Sequence, residues 1–222
     1  LKVSSDLSSE NGLKLERDFT RNLLVTDLDP IVRITGPGNY LSLKGDRKVA
    51  IETINTDEIE VSVDRIHPNN LVPFLQKIRL KGSDGYYYGW NLEDHGTPLF
   101  SRTQKLTSDE PNKIIVTSVD LGEVLSDDSR GIFRLTVRKP GGGSRDSRWI
   151  VATDLGLVAK QSGDRVEVAV ASISRLQAVA GVKVQIMSHN NQVLASALTD
   201  NEGMVSFSGL TWTDSGGRPF AV

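Results

Sequence analysis

Apolar residues recur at every second position in several short runs of this chain, the signature of strands with one buried face. From Lys48 onward Val49 and Ile51 alternate with polar neighbours. After a break, Ile59, Val61 and Val63 share one face while Glu60, Ser62 and Asp64 share the other, which reads as a half-buried strand pair. Strand character resumes from Ile114 to Val119 and from Gly131 to Val137, and Pro140-Gly141-Gly142-Gly143-Ser144 forms a hairpin tip before a returning strand from Ser147 to Ala152. Leu155, Leu157 and Ala159 alternate next, Gly163-Asp164 turns the chain, and Val166, Val168 and Val170 continue the period with Glu167 facing out. Three more short strands run from Ala180 to Ile186, from Gln192 to Leu198 and from Met204 to Phe207. Thr199-Asp200-Asn201-Glu202-Gly203 is the turn before the last of them, because Asp and Asn bond back to their own backbone and Gly accepts a positive φ.

The breaks in this pattern suggest the organisation. Asp29-Pro30 leads into a strand, Ile31-Val32-Arg33-Ile34, that ends at the turn residues Gly36-Pro37-Gly38-Asn39. Between Ile66 and Lys113 the alternation loosens, and Asn69 to Ile78 reads as one short helix, capped by Asn and started near Pro. Strands recurring about every eight to twelve residues with turn residues between them predict an all-β fold: two consecutive antiparallel β-sandwich domains, with one short helix in the first. The expected boundaries are 1–29 for the remnant of a preceding domain or linker, 30–152 for the first sandwich and 153–222 for the second. Arg218-Pro219-Phe220-Ala221-Val222 breaks off with a strand under way. The second sandwich is therefore expected to lack its last strand, leaving an open edge that the first domain or a neighbouring molecule would cover.

Composition narrows the classes. The 222 residues carry a net charge of −2 with both signs mixed throughout, so no electrostatic footprint for nucleic acid or an anionic membrane is present. The chain has no cysteine, which removes disulfides, thiolate metal sites and a cysteine nucleophile from it. No run approaches the ~18 apolar residues of a membrane-crossing helix, and Leu1-Lys2-Val3-Ser4-Ser5 has neither an initiator Met nor a leader pattern. The chain reads as an excised fragment of a longer protein.

Two segments carry a family resemblance. One runs from Asp29-Pro30 through Gly36-Pro37-Gly38-Asn39-Tyr40-Leu41 to Asn55, Val61 and Val63; the other is Trp149-Ile150-Val151-Ala152-Thr153-Asp154-Leu155-Gly156-Leu157. They resemble the macroglobulin-like domains of bacterial α2-macroglobulins, large extracytoplasmic protease-trapping proteins. The second segment resembles the family's junction, where a strand closes one domain and a Thr-Asp-Leu-Gly-Leu type segment opens the next. The Gly181-Val182 to Phe207 hairpins continue the likeness. The resemblance implies a non-catalytic scaffold, part of a broad-spectrum inhibitor that entraps a protease by rearranging after its bait segment is cut. It also implies a periplasmic or cell-envelope location, a secreted and membrane-anchored parent, and partners that are other domains of the parent chain, target proteases and envelope proteins. The family's Cys-Gly-Glu-Gln thioester is absent from a chain without cysteine, and no catalytic or capture residue transfers to it.

The candidate chemistry is sparse. His67, His95 and His189 lie far apart, each beside turn residues, and read as loop histidines rather than metal ligands or a triad base. The acidic pairs Asp57-Glu58, Glu93-Asp94, Asp109-Glu110 and Asp127-Asp128 lack the ligand spacing of a calcium loop and read as solvated turns. Gly141-Gly142-Gly143-Ser144-Arg145 lacks the Lys-Ser/Thr of a phosphate loop. No enzyme activity, cofactor or metal site is expected. In the run Tyr86-Tyr87-Tyr88-Gly89-Trp90, a strand would place Tyr86, Tyr88 and Trp90 on one face, a candidate protein-contact surface. The alternative function is an adhesin-like or carbohydrate- or protein-binding module that uses that face.

Overall fold

The computed structural model describes residues 1–36, 38–41, 45–81, 96–107, 110–126, 129–210 and 219–221. In chain order the strands are β1 (Lys2–Val3), β2 (Phe19–Thr20), β3 (Ile31–Ile34), β4 (Tyr40–Leu41), β5 (Lys48–Ile54) and β6 (Glu58–Ile66). A single 3₁₀ turn (Pro68–Asn70) runs into helix α1 (Leu71–Lys81), followed by β7 (Gly96–Lys105), β8 (Ile115–Asp120), β9 (Gly131–Arg138) and β10 (Arg145–Ala152). Then come β11 (Leu155–Ser162), β12 (Arg165–Ser172), β13 (Gln177–Ala178), β14 (Lys183–Ser188), β15 (Val193–Leu198), β16 (Met204–Phe207) and β17 (Pro219–Ala221).

The first sandwich stacks a five-stranded sheet, order β4-β10-β9-β6-β7, on a three-stranded sheet, order β3-β5-β8. Period-two alternation on the facing strands fills the space between them. Ile59, Val61, Val63, Phe133, Leu135 and Val137 come from one sheet and Ile51 and Val119 from the other, with Leu121 and Leu125 closing one end. The expected β5–β6 pair is corrected here. Both strands face the same core, so they show the same alternation, but β5 pairs with β3 and β8 while β6 pairs with β9 and β7. The turn at Asn55, with φ 48°, carries the chain from one sheet to the other.

Asn55 also fastens the segment that leads into this sandwich. Its Nδ2 donates to Leu28 O at 2.7 Å, its Oδ1 accepts from Asn112 N at 2.7 Å, and Leu28 N donates to Asn112 Oδ1 at 2.7 Å. Asn112 also has a positive φ, 62°, which Asn adopts more readily than branched residues.

The loosened stretch after Ile66 contains β7, which alternation did not reveal. Among the described residues it pairs only with β6 as an edge strand, largely exposed, with Pro98 opposite Asp64 next to a bulge. Proline is tolerated at such an edge because no ladder hydrogen bond is lost on the solvent side. The helix lies where expected but starts later: Asn69 and Asn70 lie inside the 3₁₀ turn that precedes it, behind Pro68.

The second sandwich packs β11-β12-β13, with β16 also on β12, against β15-β14-β17. Val166, Val168, Val170, Val184, Ile186, Val205 and Phe207 form its core. The Thr199–Gly203 turn does not close a hairpin, because β15 pairs with β14 and β16 with β12, so the turn crosses between sheets. The open edge expected at the end of the chain is occupied along β14 by β17. Of the alternating Leu155, Leu157 and Ala159 on β11, Leu155 packs against the core while Leu157 stays 44% exposed. Leu157 lies opposite Val170 and so on the inner side, but β11 pairs only with β12, and at the sheet edge less of the facing layer covers it.

Residues 1–20 form a small lobe closed by β1 and β2, in which Asp18 accepts from Ser5 N at 2.9 Å and pairs with Lys2 at 3.0 Å. Its apolar side chains, among them Leu7, Leu13 and Phe19, line an open groove of about 500 Å³.

Candidate domain-contact site

Two residues, Thr153 and Asp154, separate the last strand of the first sandwich from the first strand of the second. Thr153 is held from both sides and Asp154 from the second sandwich. Tyr40 on β4 donates its hydroxyl to Thr153 O at 2.7 Å, while the Thr153 hydroxyl accepts from Leu155 N at 3.0 Å. Asp154 turns into the second sandwich: Oδ2 accepts from Ser172 Oγ at 2.7 Å, Oδ1 from Ser174 N at 2.9 Å, and its carbonyl from Ile173 N at 2.7 Å. Thr153 bonds the backbone two residues on, whereas the Asp154 side chain reaches residues 18 and 20 positions further along the chain.

The strand that leads into this joint also stitches the two sheets of the first sandwich together. On β10 and the residue before it, alternate side chains take the place of a strand along the free edge of β3. Ser144 Oγ accepts from Val32 N and Asp146 Oδ2 from Ile34 N, both at 2.8 Å. Arg148 donates to Ile34 O at 2.9 Å, Thr35 O at 3.2 Å and Gly36 O at 2.8 Å. Edge groups that no strand could reach are thereby satisfied.

Helix α1 lies on the outer face of the five-stranded sheet. Ile66 and Phe74 are buried there against Leu71, Leu75, Ile132 and Trp149, and the Phe74 and Trp149 rings meet edge-on at 4.5 Å and 75°. At its start the helix meets the β14–β15 tip of the second sandwich. Asn191 Nδ2 donates to Asn69 O at 2.8 Å, and Gln76 Nε2 donates to His189 O. Among the described residues the two sandwiches thus bond to each other at the Thr153-Asp154 joint and at this tip. Sequence reading missed Phe74, Gln76 and Asn191, and took Trp149 only as part of a strand. The available signal was a group of apolar residues, Ile66, Ile132, Trp149 and Val151, on a sheet face otherwise bearing Arg134, Arg138, Glu60 and Asp64, which marks a covered patch.

Tyr86, Tyr88 and Trp90 lie outside the described residues, as do His95, Glu93-Asp94, Asp109 and Asp127-Asp128. His67 precedes the 3₁₀ turn with Nε2 2.8 Å from Thr97 Oγ1, and His189 sits at the β14–β15 tip, so these two imidazoles belong to separate turns. Among the described residues no three His, Cys, Asp or Glu side chains gather into a metal site. Gly141, Gly142 and Gly143, all at positive φ, form the β9–β10 hairpin tip.

The charged residues of the outer sheet face are cross-strand pairs. Asp64 lies directly opposite Arg134 and Glu60 opposite Arg138, with ion-pair distances of 3.2 Å and 2.7 Å. The Arg138 hydrogen bonds hold the Glu60 carboxyl below its ordinary 4.5, against a smaller opposing effect of desolvation. A depressed carboxyl contributes stability above its unfolded value and loses that contribution as pH falls through its folded value. Arg138→Ala is therefore expected to move the Glu60 titration midpoint up towards 4.5, read by carboxyl NMR, and to flatten the loss of stability as pH falls below 4.5. An unmoved midpoint would show that the pair does not persist in solution.

Comparison with known proteins identifies both sandwiches. Residues 33–148 match the family model "Bacterial alpha-2 macroglobulin MG2 domain", and residues 152–222 match "Bacterial alpha-2-macroglobulin MG3 domain". An alpha-2-macroglobulin homolog of Yersinia pestis is 28% identical over 95% of this chain and 12% of its own length. The alpha-2-macroglobulin of Pasteurella multocida is 26% identical over 95% of this chain and 12% of its own. The chain thus spans about an eighth of the curated relatives it matches. In fold it is similar to native Escherichia coli alpha-2-macroglobulin in a crystal structure spanning domains NIE-MG1. The TM-score there is 0.63 at 17% identity, over 87% of this chain and 91% of that one.

Proposed function

The chain belongs to the bacterial alpha-2-macroglobulin family, and on that premise we propose that it is a non-catalytic scaffold segment of a protease-trapping inhibitor. The observation that carries the reading is the tandem match of two family domains to two sandwiches joined through a two-residue link. Such a segment supplies shape, stiffness and domain contacts. In the parent, a protease would cut a bait segment elsewhere, and the scaffold would rearrange around the enzyme as a two-state release of strain. Its partners are then the other domains of the parent and, through the parent, the trapped protease, in the periplasm or cell envelope.

The test uses the full-length parent, incubated with a broad-specificity protease and then offered a large protein substrate and a small peptide substrate. Entrapment leaves the active site of the caged enzyme open, so protein cleavage is expected to fall while peptide cleavage survives. Loss of both activities would place inhibition at the protease active site. Survival of both would point to a binding or assembly scaffold instead. Either result would overturn the reading.

A further inference from the structure

We propose that helix α1 is a latch that fixes the second sandwich against the first, firm at its root and readily released at its tip. The inference concerns the geometry of this chain alone and stands whether or not the parent traps proteases. Domains joined by a short link and little buried contact move relative to each other by default. Here the joint at Thr153-Asp154 sets the spacing, but a single point of attachment leaves rotation free. The second attachment removes it. The root of the helix is fixed by buried Phe74 edge-on to Trp149 and by Ile66 beneath it, so the helix moves with the first sandwich.

Its receptor is equally well defined. The β14–β15 tip is built around Ser188, which is fully buried. The Ser188 N–H donates to Gln192 O at 2.9 Å, and its hydroxyl oxygen accepts from Gln192 N at 3.0 Å. Asn191 sits at the bend with φ 63°, which aims its amide at Asn69 O. Between these two stiff parts, the Asn191–Asn69 and Gln76–His189 bonds are both solvent-exposed. Each such hydrogen bond is worth about a factor of 5 in a closed-to-open equilibrium, so the pair contributes roughly 25-fold to the closed arrangement. The latch can therefore open without unfolding either sandwich.

The absence of cysteine makes the test clean. Ser118→Cys on β8 and Ser196→Cys on β15, both at exposed positions, carry paired spin labels in the 222-residue chain, and pulsed electron-spin measurements give the distance between sandwiches. The test variant adds Gln76→Ala, which favours the helix, and Asn191→Gly, which keeps the left-handed bend and removes the amide. The expected result is one narrow distance with the latch intact and a distribution at least about twofold broader without it, with amide exchange in β6 and β12 unchanged. An equally narrow distribution in the variant, or an equally broad one in the unmodified chain, would overturn the proposal. If the double substitution disturbs the tip itself, seen as faster exchange in β14, Gln76→Ala alone is read by the same two criteria.

Discussion

Phe133→Ala is expected to destabilise the first sandwich by about 3–5 kcal/mol, a large share of the ~5–15 kcal/mol that holds a domain of ordinary size. Phe133 is 1% exposed and lies on β9, the strand between β10 and β6 in the five-stranded sheet. Truncation removes its apolar contact area and leaves a cavity beside Ile150, directly opposite on β10, and the core side chains around it, which a doubly paired strand cannot move to fill. The consequence for the rest of the chain is the sharper part of the prediction. The core around Phe133 shares no residue with the core around Val168 and Ile186. Amides of β6 and β9 should therefore lose hydrogen-exchange protection in the variant, while those of β12 and β14 keep theirs. Parallel loss in both sets would mean that the two sandwiches unfold as one unit, and that the joint and the helix contact couple them more strongly than their few polar bonds allow.

How much of this was legible in the sequence depended on whether the deciding interaction was local. Alternation at Ile59, Val61 and Val63 identified the inner face of β6, because a strand's period of two is set by its own backbone. The same pattern could not say which strand pairs with which. Val49 and Ile51 face the same core from the opposite sheet, and burial on a shared core looks identical from either side. β7 was missed for the converse reason: an edge strand with one poorly covered face has little apolar period to display, and Leu99, Ser101 and Thr103 follow its solvent exposure. The Thr153-Asp154 joint was visible through the family resemblance of its segment, although Asp154 bonds Ser172 and Ser174, 18 and 20 residues away. The contact between α1 and the second sandwich was not, since Asn69 and Asn191 meet across 122 residues of sequence. The side-chain stitch by Ser144, Asp146 and Arg148 falls between these cases: their spacing of two is plain, but only the fold reveals that the edge they face is β3.

The two attachments between sandwiches also bear on what a scaffold segment must do. A load passing along a chain of domains is carried by the joint and by whatever prevents rotation about it. The joint is bonded to both sides, through Tyr40 on one and Asp154 on the other. Stiffness of that kind transmits a rearrangement, whereas a free joint would absorb it.

Gly203→Ala is expected to cost the second sandwich about 2–5 kcal/mol and to lower its melting temperature by roughly 10–30 °C. Gly203 closes the turn in which Asp200 Oδ1 accepts from Glu202 N at 2.9 Å and from Met204 N at 2.8 Å, and its own φ is 72°. The left-handed backbone alone costs an alanine about 1–2 kcal/mol. Contact with the neighbouring strand adds the larger part. A Cβ at this position would lie 2.4 Å from Val170 O and 3.0 Å from Val179 N. Those two atoms are already hydrogen-bonded to each other at 3.1 Å, and Gly203 O accepts from Val170 N at 2.8 Å, so β12 cannot withdraw without breaking bonds on both sides of Val170. The neighbouring substitution Glu202→Ala serves as the control: that side chain is exposed and only its backbone N–H is used, so its effect should stay within about 0.5 kcal/mol. Thermal melting followed by exchange at Val168 and Val205 separates the two variants. Equal melting of both would show that the turn does not sit against β12 in solution. A selective loss at Gly203 would tie the clearest turn signal in the sequence to a close backbone approach in the fold.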